Sequence, residues 1–258
     1  MITSMSNARI KQVVQLMQRT KVRNERDLFV IEGVKLFVEA PKERIREVYL
    51  SESFYEKWEE KELLQGHAYE IVSDDVFQKM TDTVHPQGIL CTVAQFHYTL
   101  EDMMQGANPL LLIGEELQDP GNLGTLIRTG EGAGVDGVIL TKGSVELYNP
   151  KVIRSTMGSI FRMKTIYIED MIQVLEQLQA VGVRIYAAHL AGTTYYTDTN
   201  FKGPTAFLIG NEARGLEEHT AQQADEYVKI PMSGQVESLN AAMAAGLLVY
   251  EARRQREG

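Results

Sequence analysis

Short apolar runs alternate with helical stretches along most of this chain, and that alternation restricts the fold more than any other feature. In the C-terminal part, Leu110 to Ile113, Gly137 to Leu140, Arg184 to Ala188, Ala206 to Ile209 and Tyr227 to Ile230 read as strands. The intervening spacing predicts helices over 122–133, 150–158, 170–181 and 238–255. Parallel strands need long crossovers and antiparallel ones do not, so strands separated by helices imply an α/β fold with a mostly parallel sheet covered on both faces. The N-terminal part carries a smaller α/β pattern. Its first helix is marked by Ile10, Val13, Val14 and Met17 at helical spacing, with Ser6 or Asn7 as cap. Strands follow at Leu28 to Ile31, Val48 to Leu50, Tyr69 to Val72 and Ile89 to Val93, with helical stretches at 34–39, 52–64 and 75–80. The polar segment Glu101 to Asn108 contains Gly106 and precedes a strongly apolar run, so the expected division is a domain over 1–100, a linker over 101–108 and a second domain over 109–258.

A chain of 258 residues can bury a substantial core, and 44% hydrophobic with 24% charged residues is the balance of a soluble globular protein. The first residues lack the apolar core of a secretory signal and no run is long enough to span a membrane, so a cytoplasmic location without membrane contact is expected. With one cysteine, Cys91, no intramolecular disulfide can form, and its apolar neighbours place it in a buried strand. A net charge of −9 excludes coating of nucleic acid by bulk charge. A local patch is a different matter: residues 1–24 hold Arg9, Lys11, Arg19, Lys21 and Arg23 and no acid, a charge of +5. It reads either as a solvated helix face or as an RNA-binding surface.

Several chemistries lack their residues. The run Gly130-Glu131-Gly132-Ala133-Gly134 closes a helix and leads into a strand, the reverse of a dinucleotide-binding loop, and reads as a helix C-terminus. No phosphate-loop lysine motif or G-x-S-x-G occurs, and His67, His85, His97, His189 and His219 show no metal-ligand spacing, so no metal is expected. Three blocks stand out instead, each where an apolar run gives way to a turn or helix. They are Asn122-Leu123-Gly124 leading to Arg128-Thr129, then Ile209-Gly210-Asn211-Glu212, then Ile230-Pro231-Met232 with Ser238-Leu239-Asn240. Such junctions are where α/β proteins build ligand sites.

The run Asp119 to Thr129, Ile209 to Glu212 with Gly215, and Ile230 to Gly234 through Ser238-Leu239-Asn240 and Ala244 resembles, in order and spacing, the three signature motifs of the SpoU/TrmH family of RNA 2′-O-ribose methyltransferases. The resemblance covers roughly residues 108 to 255, and Asn149-Pro150-Lys151 through Ser155 and Gly158 resembles the stretch between the first two motifs. The first hundred residues resemble, in layout, the ribosomal-protein-L30e-like substrate-binding domain of many members. The resemblance implies a C-terminal trefoil-knotted α/β domain of the SPOUT type, an exception to the avoidance of knots. It also implies S-adenosylmethionine as cofactor and a homodimer whose site is completed across the interface. Packing within the domain would fully explain the last helix, with Leu239, Met243, Gly246, Leu247 and Tyr250 on one stripe, but such a helix also suits a homodimer interface.

By family correspondence the main chain of Gly210, Ile230 and Leu239 meets the cofactor, with Leu190 in a nearby turn and Pro231 holding the shape of the third loop. Arg128 is the residue on which transfer is expected to depend. It is read first as a clamp on the substrate phosphate that positions the hydroxyl, and second as its base, since an arginine side chain normally stays protonated. Asn122, Glu212, Ser238 and Asn240 are expected to hold the substrate ribose or the catalytic loops, or to cap helices. Arg9, Lys11, Arg19, Lys21 and Arg23 are the expected RNA contacts. Large-subunit (23S) ribosomal RNA is favoured as substrate. Transfer RNA is the alternative, as is a knotted RNA-binding protein that has lost catalysis and serves ribosome assembly.

Overall fold

In the computed structural model, which describes residues 1–236 and 238–258, the apolar spacing near the N-terminus becomes helix α1 (Ala8–Gln18). Asn7 is its cap, with Oδ1 accepting the Arg9 N–H at 2.9 Å. A second helix that periodicity did not mark, α2 (Thr20–Arg26), ends at Asp27 in the left-handed conformation, which turns the chain into β1 (Leu28–Glu32). The chain continues through α3 (Val34–Glu39), β2 (Ile45–Ser51), α4 (Glu52–Lys57), β3 (Tyr69–Val72), α5 (Asp74–Met80) and β4 (Ile89–Ala94). The helix expected over 52–64 is shorter, since α4 stops at Trp58 and Lys61–Leu64 forms a separate 3-10 turn. The strands lie in the order β1-β4-β2-β3, antiparallel except for β2 with β3. Ile10, Val13 and Leu16 of α1 pack with Val76, Phe77 and Met80 of α5 on Val30, Tyr49, Val72 and Leu90 of the sheet. Cys91 is buried in β4, and burial pushes its thiol up.

Two compact units result. One is Met1–Phe96 together with Glu146–Phe161, and the other is His97–Val145 with Arg162–Gly258. Where a linker was expected, the second unit opens with a short helix, α6 (Leu100–Met103), held by a capping box between Thr99 and Asp102 and buried at Met103. It continues with β5 (Leu110–Gly114), α7 (Pro120–Ala133) and β6 (Gly137–Thr141). Gly134 closes α7 at φ +79°, as a helix C-terminus requires.

The chain then contributes Glu146–Phe161, with α8 (Pro150–Thr156), to the first unit. There Tyr148 stacks on Phe29 with ring centroids 4.5 Å apart, and the Arg154 guanidinium grips the Asp82 carboxylate at 2.6 and 3.2 Å. The second unit resumes with β7 (Thr165–Ile168), α9 (Met171–Ala180), β8 (Arg184–Ala188), β9 (Thr194–Tyr195), β10 (Thr205–Ile209), α10 (Glu218–Ala221), β11 (Glu226–Lys229) and α11 (Ala241–Glu257).

Its seven strands run in the order β7-β6-β5-β10-β8-β11-β9, and every pairing is parallel. β10 enters between two strands already laid down, with Ile209 opposite Gly114 of β5 and Thr205 opposite Arg184 of β8. Alternate side chains Leu111, Ile113, Ile139, Ile185, Ala187, Ala206 and Leu208 form one face with Leu175 and Leu178 of α9. On the other face Tyr186, Phe201 and Phe207 meet edge to face or tilted. α11 packs on α7 closely enough that a Cβ at Gly246 would stand 3.2 Å from the Thr129 methyl. The last helix starts at Ala241, three residues later than its predicted start, because Asn240 and not Ser238 is the cap: Asn240 Oδ1 accepts the N–H groups of Ala242 at 3.0 Å and Met243 at 3.2 Å.

Candidate active site

The carboxyl ends of β8, β10 and β11 open into a cavity of about 330 Å³, within the size range of ligand pockets. Leu190, Gly210, Ile230 and Leu239 all line it, as do Ser238 and Glu212. Gly210 is required by the chain itself. A Cβ there would lie 2.2 Å from the backbone of Gly215 and Leu216, so no side chain fits. The turn that folds back on it is fixed at both ends by reciprocal bonds between Asn211 and Gly215 at 3.0 and 2.9 Å. Asn211 secures it further, donating from Nδ2 to the Glu116 carbonyl at 2.7 Å and accepting the Ala213 and Arg214 N–H groups at 2.9 and 3.1 Å.

Beside the cavity, Glu212 gathers the N-terminal turn of α7. Its carboxylate accepts the N–H groups of Gln118 and Asp119, each at 3.1 Å, and the Asn122 amide at 3.0 Å. Partial burial opposes ionisation of Glu212, but these hydrogen bonds together outweigh it and hold the carboxyl below the ordinary glutamate value. The Asn122 side-chain Oδ1 then accepts from Asn240 Nδ2 at 2.7 Å, so one line of hydrogen bonds joins the second block to the first and the first to the third. Asn240 also caps α11, and Asp119 caps α7 by accepting the Asn122 N–H at 2.8 Å.

Residues 109–250, which contain all three blocks, match the SpoU rRNA Methylase family, and residues 7–91 match an MRM3-like substrate binding domain. The chain belongs to the SpoU family. Over 99% of its length this SpoU protein is 34% identical to an uncharacterized tRNA/rRNA methyltransferase of Synechocystis, covering 94% of it. It is 33% identical, over 98% of each chain, to the Bacillus subtilis 23S rRNA (guanosine(2553)-2′-O)-methyltransferase RlmP. Its fold superposes with a TM-score of 0.86, at 30% identity, on an AdoMet-bound rRNA methyltransferase from Sinorhizobium meliloti, covering 98% of this chain and 97% of that one. It is therefore an S-adenosylmethionine-dependent RNA methyltransferase with the trefoil-knotted α/β domain of that family.

The remaining expected site residues of this SpoU enzyme fall into two groups. Arg128 is exposed on α7, one turn beyond Gly124, and makes no hydrogen bond or ion pair among the described residues. Ser238 is exposed at the cavity wall and does not cap α11. In the first unit, Lys11 and Arg19 are exposed, Lys21 is exposed beside Glu25 at 3.7 Å, and Arg9 is paired with Glu47 and Glu70. Arg23 departs from expectation. It is 3% exposed, its Nε lies 3.0 Å from both Glu146 oxygens, and it donates to the Leu16 and Met17 carbonyls, so it is an internal strut and not an RNA contact.

Sequence reasoning missed Arg214 and Glu116. Arg214 lines the cavity and pairs with Glu116, which holds a left-handed backbone at φ +50°. The place of Arg214 inside the second block was a usable signal, whereas nothing in the sequence marks Glu116. Among the described residues no group of His, Cys, Asp and Glu is arranged to hold a metal ion, and no helix is long and apolar enough to cross a membrane.

Proposed function

We propose that this enzyme methylates a ribose 2′-hydroxyl in 23S ribosomal RNA. The observation that carries the reading is the hydrogen-bonded line Glu212–Asn122–Asn240, which joins the three motif loops beside a cavity edged by Gly210, Ile230 and Leu239. The cavity suits the cofactor. Apolar Leu190, Ile230, Met232 and Leu239 offer contact to a flat purine, while the loop backbones that wall it offer N–H and C=O groups to its edge. Bound S-adenosylmethionine supplies an electrophilic methyl group on a sulfonium. The protein's task is then to align the ribose oxygen and ease removal of its proton. Arg128, whose N–H groups are uncommitted among the described residues, is suited to clamp the adjoining phosphate in bidentate fashion and so fix the hydroxyl, with a base role as the second possibility. Asn122, Ser238 and Asn240 hold the loops and the ribose, and Glu212 fixes Asn122.

The RlmP relative is named for 23S ribosomal RNA, which supports that substrate over transfer RNA. Arg9, Lys11, Arg19 and Lys21 provide the exposed part of an RNA surface on the substrate-binding unit, Arg9 while paired with Glu47 and Glu70. Met243, Leu247 and Tyr250 remain exposed along α11 next to Thr129 of α7, an apolar strip that supports homodimer formation through this face. The working location is the cytoplasm, where ribosomes are assembled in bacteria such as those of its relatives. The test is transfer of labelled methyl from S-adenosylmethionine to separate pools of unmodified ribosomal and transfer RNA. Label in 23S RNA as an alkali-resistant dinucleotide is the expected result. Label in transfer RNA would move the substrate. Cofactor binding with no label in either pool would favour an RNA-binding protein without catalysis.

A further inference from the structure

The cofactor that this reading rests on is an amino acid at one end, and its α-carboxylate needs a cation. Three side chains lining the cavity can carry positive charge: His189, Arg214 and Lys229. The His189 ring is engaged through Nδ1, which accepts the Ala191 N–H at 3.1 Å. The cavity's own carboxylate, Glu212, is taken up by the Gln118, Asp119 and Asn122 donors.

Arg214 differs from Lys229 in how it is held. Its N–H is bonded to Asn211 Oδ1, and the turn that carries it is closed at both ends by the Asn211–Gly215 pair and wedged against Gly210. Its guanidinium touches Glu116 through Nη2 alone, and no other acceptor takes its N–H groups among the described residues. An arginine has five donors in a planar fork, so Nε and Nη1 are left over on the cavity side chain.

Glu116 is itself fixed. Its N–H donates to Thr141 Oγ1 at 2.8 Å and its carbonyl accepts Asn211 Nδ2 at 2.7 Å, which holds a non-glycine residue at φ +50°. A residue kept in that region by its surroundings is a common mark of a site that must present a group in one place.

We propose that Arg214 binds the α-carboxylate of the methionine moiety of S-adenosylmethionine, with Glu116 orienting the guanidinium from behind. Arg214 is then a cofactor-binding residue and Glu116 a positioning residue.

The test compares binding of S-adenosylmethionine with that of its decarboxylated analogue, by calorimetry on the full-length protein without RNA. Wild type is expected to prefer the carboxylate-bearing form by roughly tenfold, the scale of one partly exposed charge-assisted contact. Arg214→Gln should bring both ligands to the weaker level, and Arg214→Lys should fall between. Glu116→Gln keeps the guanidinium and should keep most of the preference. An Arg214→Gln protein that retains the wild-type ratio would overturn the assignment. So would loss of the preference in Lys229→Gln instead, or equal losses in Glu116→Gln and Arg214→Gln, which would make the ion pair merely structural. Failure of wild type to bind either ligand would instead refute the cofactor reading itself.

Discussion

Two arginines show how differently the two units use charge. Arg23 stands in the most basic stretch of the chain, yet it is buried and bonded to Glu146, Leu16 and Met17. Arg128 stands exposed on α7, one turn after Gly124 and Thr125 and one turn before Glu131 and Gly132, and its guanidinium has no partner among the described residues. Abundance of positive charge in a segment therefore says little about which charge meets a ligand. What separates the two is satisfaction: donors already matched hold the fold, and donors left unmatched on a rigid helix are available for chemistry.

The sharpest test of this contrast is Arg128→Ala. Methyl transfer should fall by about 10² to 10³, the range for removing a group that positions or stabilises charge at the reacting centre. S-adenosylmethionine affinity should stay within about twofold by calorimetry. Near wild-type turnover would remove Arg128 from the reaction. The opposite pattern is expected of Arg23→Ala, which leaves the Glu146 carboxylate without its partner in a largely dry setting. Stability should drop by roughly 3 kcal/mol, at the lower end of losses for broken buried pairs because Glu146 is partly exposed. Urea unfolding followed by the fluorescence of Trp58, in the same unit, reads it, and a loss below about 1 kcal/mol would mean the strut is dispensable.

A smaller effect is expected at the surface. Charge reversal of Arg19 and Lys21 together should weaken ribosomal RNA binding by roughly tenfold and make the dependence of log K on log salt shallower, by about one for each phosphate no longer neutralised. Cofactor binding should not change. An unaltered salt slope would take Arg19 and Lys21 out of the RNA interface.

The smallest effect concerns pH. Glu212 has a lowered folded-state pKa, so its contribution to stability is complete above the ordinary glutamate value of about 4.3 and is lost as pH falls through the folded value below that. The difference in stability between wild type and Glu212→Gln should therefore be level from neutrality down to about pH 4.3 and shrink only in stronger acid. Solvent screening keeps its size below about 1 kcal/mol. A difference that instead begins to shrink near pH 6 would contradict the hydrogen-bonded carboxylate.

The strands that build the site were legible because each is a compact apolar run bounded by turn residues, and the three motif blocks were legible because their order is distinctive. β7 was not, since Thr165-Ile166-Tyr167-Ile168 is short and follows directly on the charged Arg162 and Lys164. The allocation of Glu146–Phe161 to the first unit was hidden for another reason. It depends on partners such as Phe29, Arg23 and Asp82, more than seventy residues earlier, and no local pattern encodes them. The same distance concealed the burial of Arg23. At the site, the motif resemblance singled out Asn122, Glu212, Ser238 and Asn240 as holders of the ribose or the loops, or as caps. Their division of labour was not readable, because Ser and Asn are both good caps and only the geometry of the third loop chooses Asn240.

The insertion of β10 between β5 and β8 has a consequence for biosynthesis. β5 leaves the ribosome first and β8 some seventy residues later, yet neither can pair with the other in the finished sheet. The gap between them must stay open, or reopen, until residues 205–209 arrive, and such non-local parallel pairing is intrinsically slow. The cavity needs still later segments, up to Ala244, and Arg256 then ties the end of α11 to the carbonyls of Asn108, Phe201 and Gly203. A nascent chain that stops short of Ala244 therefore carries no assembled cofactor site, and occupancy by S-adenosylmethionine reports that β10 has entered the sheet and that the start of the last helix has docked.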